Sequence, residues 1–182
     1  MKPNFQRQKN AGAGMKQRGF VSIEVIIVLV VVLGLLALGA SKMDMLNTGG
    51  DTTEEMSNIQ ALYANTKGLK SSQGYGTAGT DLTSQLVAMK GVPKNMSVVS
   101  GVVYNMFNGA VTIASTGAGF TISSANLPAE VCIKLATKVS RSGNFGSTTI
   151  NSNSAVSGEV VPATAATQCS GSTNTVAWTS AS

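Results

Sequence analysis

The sequence predicts an α+β protein. A long N-terminal α-helix, with a membrane-spanning half and an amphipathic half, packs on a C-terminal antiparallel β-sheet head with two shorter helices. Three observations predict it. An apolar run from Phe20 to Ala40 follows a basic stretch, and a one-sided apolar stripe at spacings of three and four continues behind it. From Met96 the pattern changes to short alternating segments in a background of Ser, Thr, Gly and Asn.

Charge is distributed unevenly along the chain. The formal net charge is +5, and residues 1–19 supply all of it through Lys2, Arg7, Lys9, Lys16 and Arg18. The remainder carries eight basic and eight acidic residues and is neutral. Positive charge ahead of an apolar run holds that segment on the cytoplasmic side of a membrane. The neutral body gives no reason to expect binding to nucleic acid.

The first element is a leader, residues 1–19, polar and basic, with no periodic apolar face. A secretory signal would be cleaved behind the apolar run after small residues, yet SKMDML follows it, a poor site of that kind. Cleavage ahead of the run, between Gly19 and Phe20, would leave the helix on the mature protein. The second element is a transmembrane helix over 20–48. The 21 residues from Phe20 to Ala40 would span about 32 Å at about 1.5 Å per residue, enough for a bilayer core. Glu24 is the single carboxylate of the Phe20–Ala40 run, at a cost of about 2.5–3.5 kcal/mol at the bilayer centre, so such a group normally has a function.

The third element is a globular head over 49–182. Gly49-Gly50 either kinks one helix or breaks it. Thr52, with Glu55 three residues on, reads as a capping box that begins a second helical segment. Met56, Ile59, Leu62 or Tyr63, Thr66 and Leu69 then form its core face. Thr80-Asp81 opens a short helix with Leu82, Leu86 and Met89 on one side, stopped by Gly91 and Pro93. Strands are expected at Ser97–Tyr104, Ala110–Ser115 and Gly119–Ser124, the last two joined by a Thr116-Gly117-Ala118 turn. Another helix follows, with Asn126 as cap, Pro128 in its first turn, and Leu127, Val131, Leu135, Ala136 and Val139 facing the sheet. Thr148–Ile150, Ala155–Val161 and Thr175–Thr179 complete the strands, and the alternation of Val156, Val160, Val176 and Trp178 reads as edge strands.

Cys132 and Cys169 are the two cysteines, and there is no histidine. An even cysteine count behind a membrane segment suggests a disulfide in an oxidising compartment, against free or metal-bound thiols. Two thiols without histidine make a poor zinc site.

The stretch KQRG-FVSIE, followed by the unbroken apolar run, resembles the class III signal of type IV prepilins: a basic leader ending in glycine, an apolar or aromatic first residue, and glutamate as the fifth. The 19-residue leader, the segment GVPKNM, and the succession NMFNGAVTI, GFTIS and NLPAEVCIKLA are similar to the type IVb group, the thin-pilus subunits. The resemblance implies the type IV pilin fold and an assembly function. A prepilin peptidase would cut between Gly19 and Phe20. Glu24 would then meet the free α-amino group of Phe20 on a neighbouring copy and set the axial register. The partners would be other copies in a helical homopolymer, the peptidase, an inner-membrane assembly platform, and a receptor on a host or recipient cell. The chain would sit in the inner membrane as prepilin and then in an extracellular pilus serving adhesion, aggregation or conjugative contact. A Cys132–Cys169 disulfide would close 36 residues, as the pilin D-region does.

The alternatives are a minor pilin or a type II secretion pseudopilin, and, in another class, a membrane-anchored extracytoplasmic enzyme or binding domain. A pseudopilin would carry an acidic calcium loop, whereas residues 141–182 hold only Glu159. No catalytic residue, metal or cofactor is expected. Histidine-based triads are excluded, and Asp81, Glu130 and Glu159 are scattered. No glycine-rich loop follows a strand and opens a helix. Lys134, Lys138 and Arg141 read as a solvated helix face.

Overall fold

The computed structural model describes residues 49–181. The leader, the helix expected over 20–48, and Gly19, Phe20 and Glu24 lie outside the described residues. Among the described residues no helix is long and apolar enough to cross a membrane.

The first described helix, α1, occupies residues 49–67. Gly49 and Gly50 are its first two described residues, both helical, and the Thr53 hydroxyl donates to the Gly49 carbonyl at 3.1 Å. The expected capping box is therefore corrected: Thr52 is an interior residue, and Glu55 is fully buried instead of reaching back to a helix end. The buried face of α1 is Thr52, Glu55, Asn58, Ile59, Leu62 and Thr66, a stripe of three- and four-residue spacings. Met56, Tyr63 and Leu69 pack at its margins. The stripe is thus rotated from the expected one, and it takes in three polar residues, Thr52, Glu55 and Asn58, that hydropathy cannot flag.

A loop leads to α2 (Thr83–Ala88). Leu82 and Leu86 are buried, but Met89 is 67% exposed rather than on the core side. The end of the helix explains this. Lys90 adopts φ 56°, and the amides of Lys90 and Gly91 donate back to Val87 and Leu86 at 3.1 and 2.8 Å, closing the last turn as a Schellman motif. Met89 then points away from the core.

The strands form one seven-stranded antiparallel sheet in the order β1-β2-β3-β4-β7-β5-β6. The single strand expected over Ser97–Tyr104 is a hairpin: β1 (Ser97–Val99) and β2 (Val102–Tyr104) turn through Ser100 and Gly101, at φ 52° and 82°. Two consecutive left-handed residues are what a tight primed turn needs. β3 (Ala110–Ser115) and β4 (Phe120–Leu127) pair in register from Ser115↔Phe120 to Val111↔Ser124. Val111, Ile113, Phe120 and Ile122 point into the core, while Thr112, Thr121 and Ser123 lie on the wetter face.

A register shift between Ser124 and Leu127 carries β4 into α3 (Ala129–Ser140). Asn126 is corrected from helix cap to strand residue: it sits at φ 57° and its amide donates to the Phe107 carbonyl at 2.8 Å. Pro128 takes the cap position. Val131, Cys132, Leu135, Ala136 and Val139 are buried, as the periodicity requires.

β5 (Phe145–Ile150) and the two-residue β6 (Val156–Ser157) follow, then α4 (Pro162–Gln168) and β7 (Asn174–Ser180). α4 is a third short helix where two were expected. β7 is corrected from edge to interior: it lies between β4 and β5, with Val176 and Trp178 fully buried. Of the four residues read as edge-strand, only Val156 lies on an edge strand, β6.

Candidate functional site

Three features of the head bear on function. The first is a buried polar junction that fastens α1 to the sheet. Glu55 accepts the Met106 amide at 3.2 Å and the Ser124 hydroxyl at 3.5 Å. Ser124 in turn accepts the Asn105 side-chain amide at 2.9 Å, and the same amide donates to the Ala125 carbonyl at 2.7 Å. The Asn105 side-chain oxygen accepts the amides of Phe107 and Gly109 at 2.9 and 2.7 Å, shaping the loop between β2 and β3. Gly109 is required here by space, because a Cβ would lie 1.8 Å from the Ala125 carbonyl oxygen. Burial pushes the Glu55 carboxyl above its ordinary value, and the hydrogen bond from Met106 only partly opposes that. Hydropathy reading missed this junction. The clue was the pair of residues Thr52 and Glu55, in phase with Ile59 and Leu62.

The second feature is the closed C-terminal region. Cys132 and Cys169 are joined, their Cα atoms 5.9 Å apart, and no free cysteine remains. The bond fastens α3 to the end of α4. Asn151 and Asn174 hold the neighbouring loops. Asn151 donates to the Gln168 carbonyl at 2.8 Å and accepts the Thr175 amide at 2.9 Å, and Asn174 donates to the Leu127 carbonyl at 3.2 Å. The third feature is an exposed apolar patch, where Val98 and Val99 of the edge strand β1 lie beside Val102 of β2.

The charged helix face has an ordinary role. Lys134 pairs with Glu130 one turn away, and Arg141 pairs with Glu159. Both pairs are exposed and worth at most about 1 kcal/mol each. Asp81 serves as a local cap: it accepts the Thr83 amide at 2.8 Å and the Ser84 hydroxyl at 2.7 Å, and these bonds hold its carboxyl below the ordinary value. Among the described residues no three His, Cys, Asp or Glu side chains cluster as a metal site would require.

A family model described as PilS N terminal matches residues 50–181. The chain is also similar to the crystal structure of the type IV b pilin from Salmonella typhi, at 29% identity and a TM-score of 0.59, over 69% of this chain and 97% of that one. No curated protein matches it. The family match covers the whole described head, from the α1 anchor through the disulfide to β7. The chain belongs to the PilS family of pilins and is a structural subunit of a type IV pilus, not an enzyme.

Proposed function

We propose that this pilin is made as a membrane-inserted precursor, cut between Gly19 and Phe20 by a prepilin peptidase, and polymerised through its N-terminal helix into a helical filament of like copies. The observation that carries the reading is the junction itself. A basic leader ends in Gly19, Phe20 follows, and Glu24 is the single carboxylate of a run otherwise apolar enough to span a bilayer. Cleavage there creates an α-amino group four residues ahead of Glu24. In a dry filament core, that amine on one copy and Glu24 on another would satisfy each other, and no other pairing would neutralise both charges.

The head supports the reading in two ways. Its core runs from Ile59 on α1 to Trp178 on β7 and packs α1 on the sheet. Its surface adds an open sheet edge at β1 with exposed Val98 and Val99, suited to contact between copies. An inner-membrane assembly platform would lift the mature helix from the bilayer. A receptor on the contacted cell, and a role in adhesion, aggregation or conjugation, belong to the same reading.

N-terminal sequencing of filaments sheared from cells tests it. The expected first residue is Phe20, with no copy retaining Met1–Gly19. A different start, or filaments with the leader intact, overturns the cleavage site and with it the role of Glu24.

A further inference from the structure

We propose that the cleft where α1 ends, between the loop that follows it and the β3–β4 turn, binds a small ring bearing a carboxylate. The cavity measures about 210 Å³ and is lined chiefly by Tyr63, Lys67, Lys70, Tyr75, Phe120 and Ser180. That is below the range of about 300–1,000 Å³ that holds drug-sized ligands, so it takes one ring with its substituents.

The walls are aromatic and already in place. Tyr63 and Tyr75 pack against Phe120 with ring centroids 5.5 and 5.1 Å away. The Tyr75 amide donates to the Gly117 carbonyl at 3.0 Å, and the Phe120 amide donates to the Ser180 hydroxyl oxygen at 3.0 Å. Gly74, at φ 87°, lets the loop lie against the turn; a Cβ there would approach the Gly117 carbonyl oxygen to 2.5 Å. Binding therefore has little ordering of the walls to offset.

The cations in this cleft have no carboxylate partner among the described residues. Lys67 Nζ and Lys70 Nζ each lie 6.0 Å from the centroid of a tyrosine ring, Tyr63 and Tyr75 respectively. Neither ammonium has a carboxylate within ion-pair distance among the described residues. The hydroxyls of Tyr63 and Tyr75 also make no hydrogen bond to a described residue. The nearest acids along α1 are Glu54 and Glu55; Glu55 lies twelve residues before Lys67, about 18 Å of helix and more than two Debye lengths at physiological salt. Two cations over aromatic walls, with no carboxylate partner among the described residues, and two phenol groups select an anion that also has a ring face and polar substituents. An acidic sugar and an aromatic acid share that chemistry.

Titration calorimetry on the full-length chain in detergent micelles, repeated on intact filaments, tests the proposal. Sodium glucuronate and sodium benzoate are the probes, with glucose and benzyl alcohol as neutral counterparts and inorganic phosphate as a plain anion. The expected result is saturable one-to-one binding of at least one carboxylate, at least tenfold tighter than its neutral counterpart and than phosphate. Preference for glucuronate identifies a sugar acid, and preference for benzoate an aromatic acid. The double variant Lys67→Met, Lys70→Met should weaken binding at least tenfold, and Lys67→Arg with Lys70→Arg should retain it. Circular dichroism of each variant reports whether the fold is kept. Equal binding of the neutral compounds, equal binding of phosphate, or unchanged binding in the methionine variant overturns the proposal. So does failure of both probes to bind; if the methionine variant then also fails to form filaments, the two lysines serve a contact between subunits.

Discussion

The Met106 backbone amide donates to the Glu55 carboxylate at 3.2 Å across 51 residues of sequence, and the carboxylate is wholly buried. The contact joins α1 to the loop ahead of β3. Its removal should be costly in one way and not in another. Glu55→Ala leaves a cavity and an unpaired Met106 amide, with an expected loss of about 2–4 kcal/mol. Glu55→Gln keeps the acceptor and removes the buried charge, so it should be as stable as the parent chain at neutral pH, or more so.

The pH dependence of that difference follows from the raised carboxyl. A carboxyl whose folded value is above its unfolded value contributes stability below about 4.5, and that contribution is lost as pH rises towards the folded value. The advantage of Glu55→Gln in thermal melts should therefore be largest at pH 7 and vanish near pH 4. A difference that grew on acidification would contradict burial as the main influence on the Glu55 carboxyl.

Asp81 has the opposite sign. Its carboxyl is held down, first by the Ser84 hydroxyl, so it stabilises the fold above its ordinary value of 3.8, and that contribution is lost as pH falls through the lower folded value. Asp81→Ala should cost about 1 kcal/mol at pH 7, typical of a lost helix-start acceptor, and close to nothing near pH 2. Denaturant unfolding at the two pH values checks this.

Gly109→Ala forces a methyl group to within 1.8 Å of the Ala125 carbonyl, and main chain cannot rotate out of the way as a side chain can. We expect a loss of about 3 kcal/mol, or failure to accumulate folded head. Gly79→Ala provides the comparison: its added Cβ meets nothing within 4 Å, so only the strain of its φ of 87° should register.

Replacing both Cys132 and Cys169 by alanine releases the loop between α3 and α4. The chain-entropy account gives a loss of about 4 kcal/mol for a loop of this length. Limited proteolysis should then cut within residues 140–182 at protease levels that leave the oxidised head intact. Equal resistance would mean that the Asn151 and Asn174 bonds alone hold the region.

Val99 on the edge strand β1 is 56% exposed and contributes nothing to the core. Val99→Asp should leave the melting temperature of the head within about 2 °C, the shift expected of a change below about 0.5 kcal/mol. If β1 is a contact between copies, the variant should reduce filament yield in shearing assays.

By itself the sequence determined the class of the protein and most of its framework. Local signals suffice where one face of an element is apolar and its ends carry turn residues: α3, β3 and the Leu82–Leu86 pair were legible for that reason. The tertiary structure decided what polar and small residues do. Thr52 and Glu55 have the pattern of a helix cap, and only the approach of Met106 and Ser124 makes them part of the core. α4, built of Ala and Thr with a single buried residue, has no stripe to read and is held by its neighbours and the disulfide. Strand order was equally out of reach, since β7 becomes interior by pairing with β4 and β5, which precede it by 24 residues or more. Period and charge are properties of a segment. Burial of a carboxylate, and the partner on either side of a strand, are properties of what the chain brings back from a distance.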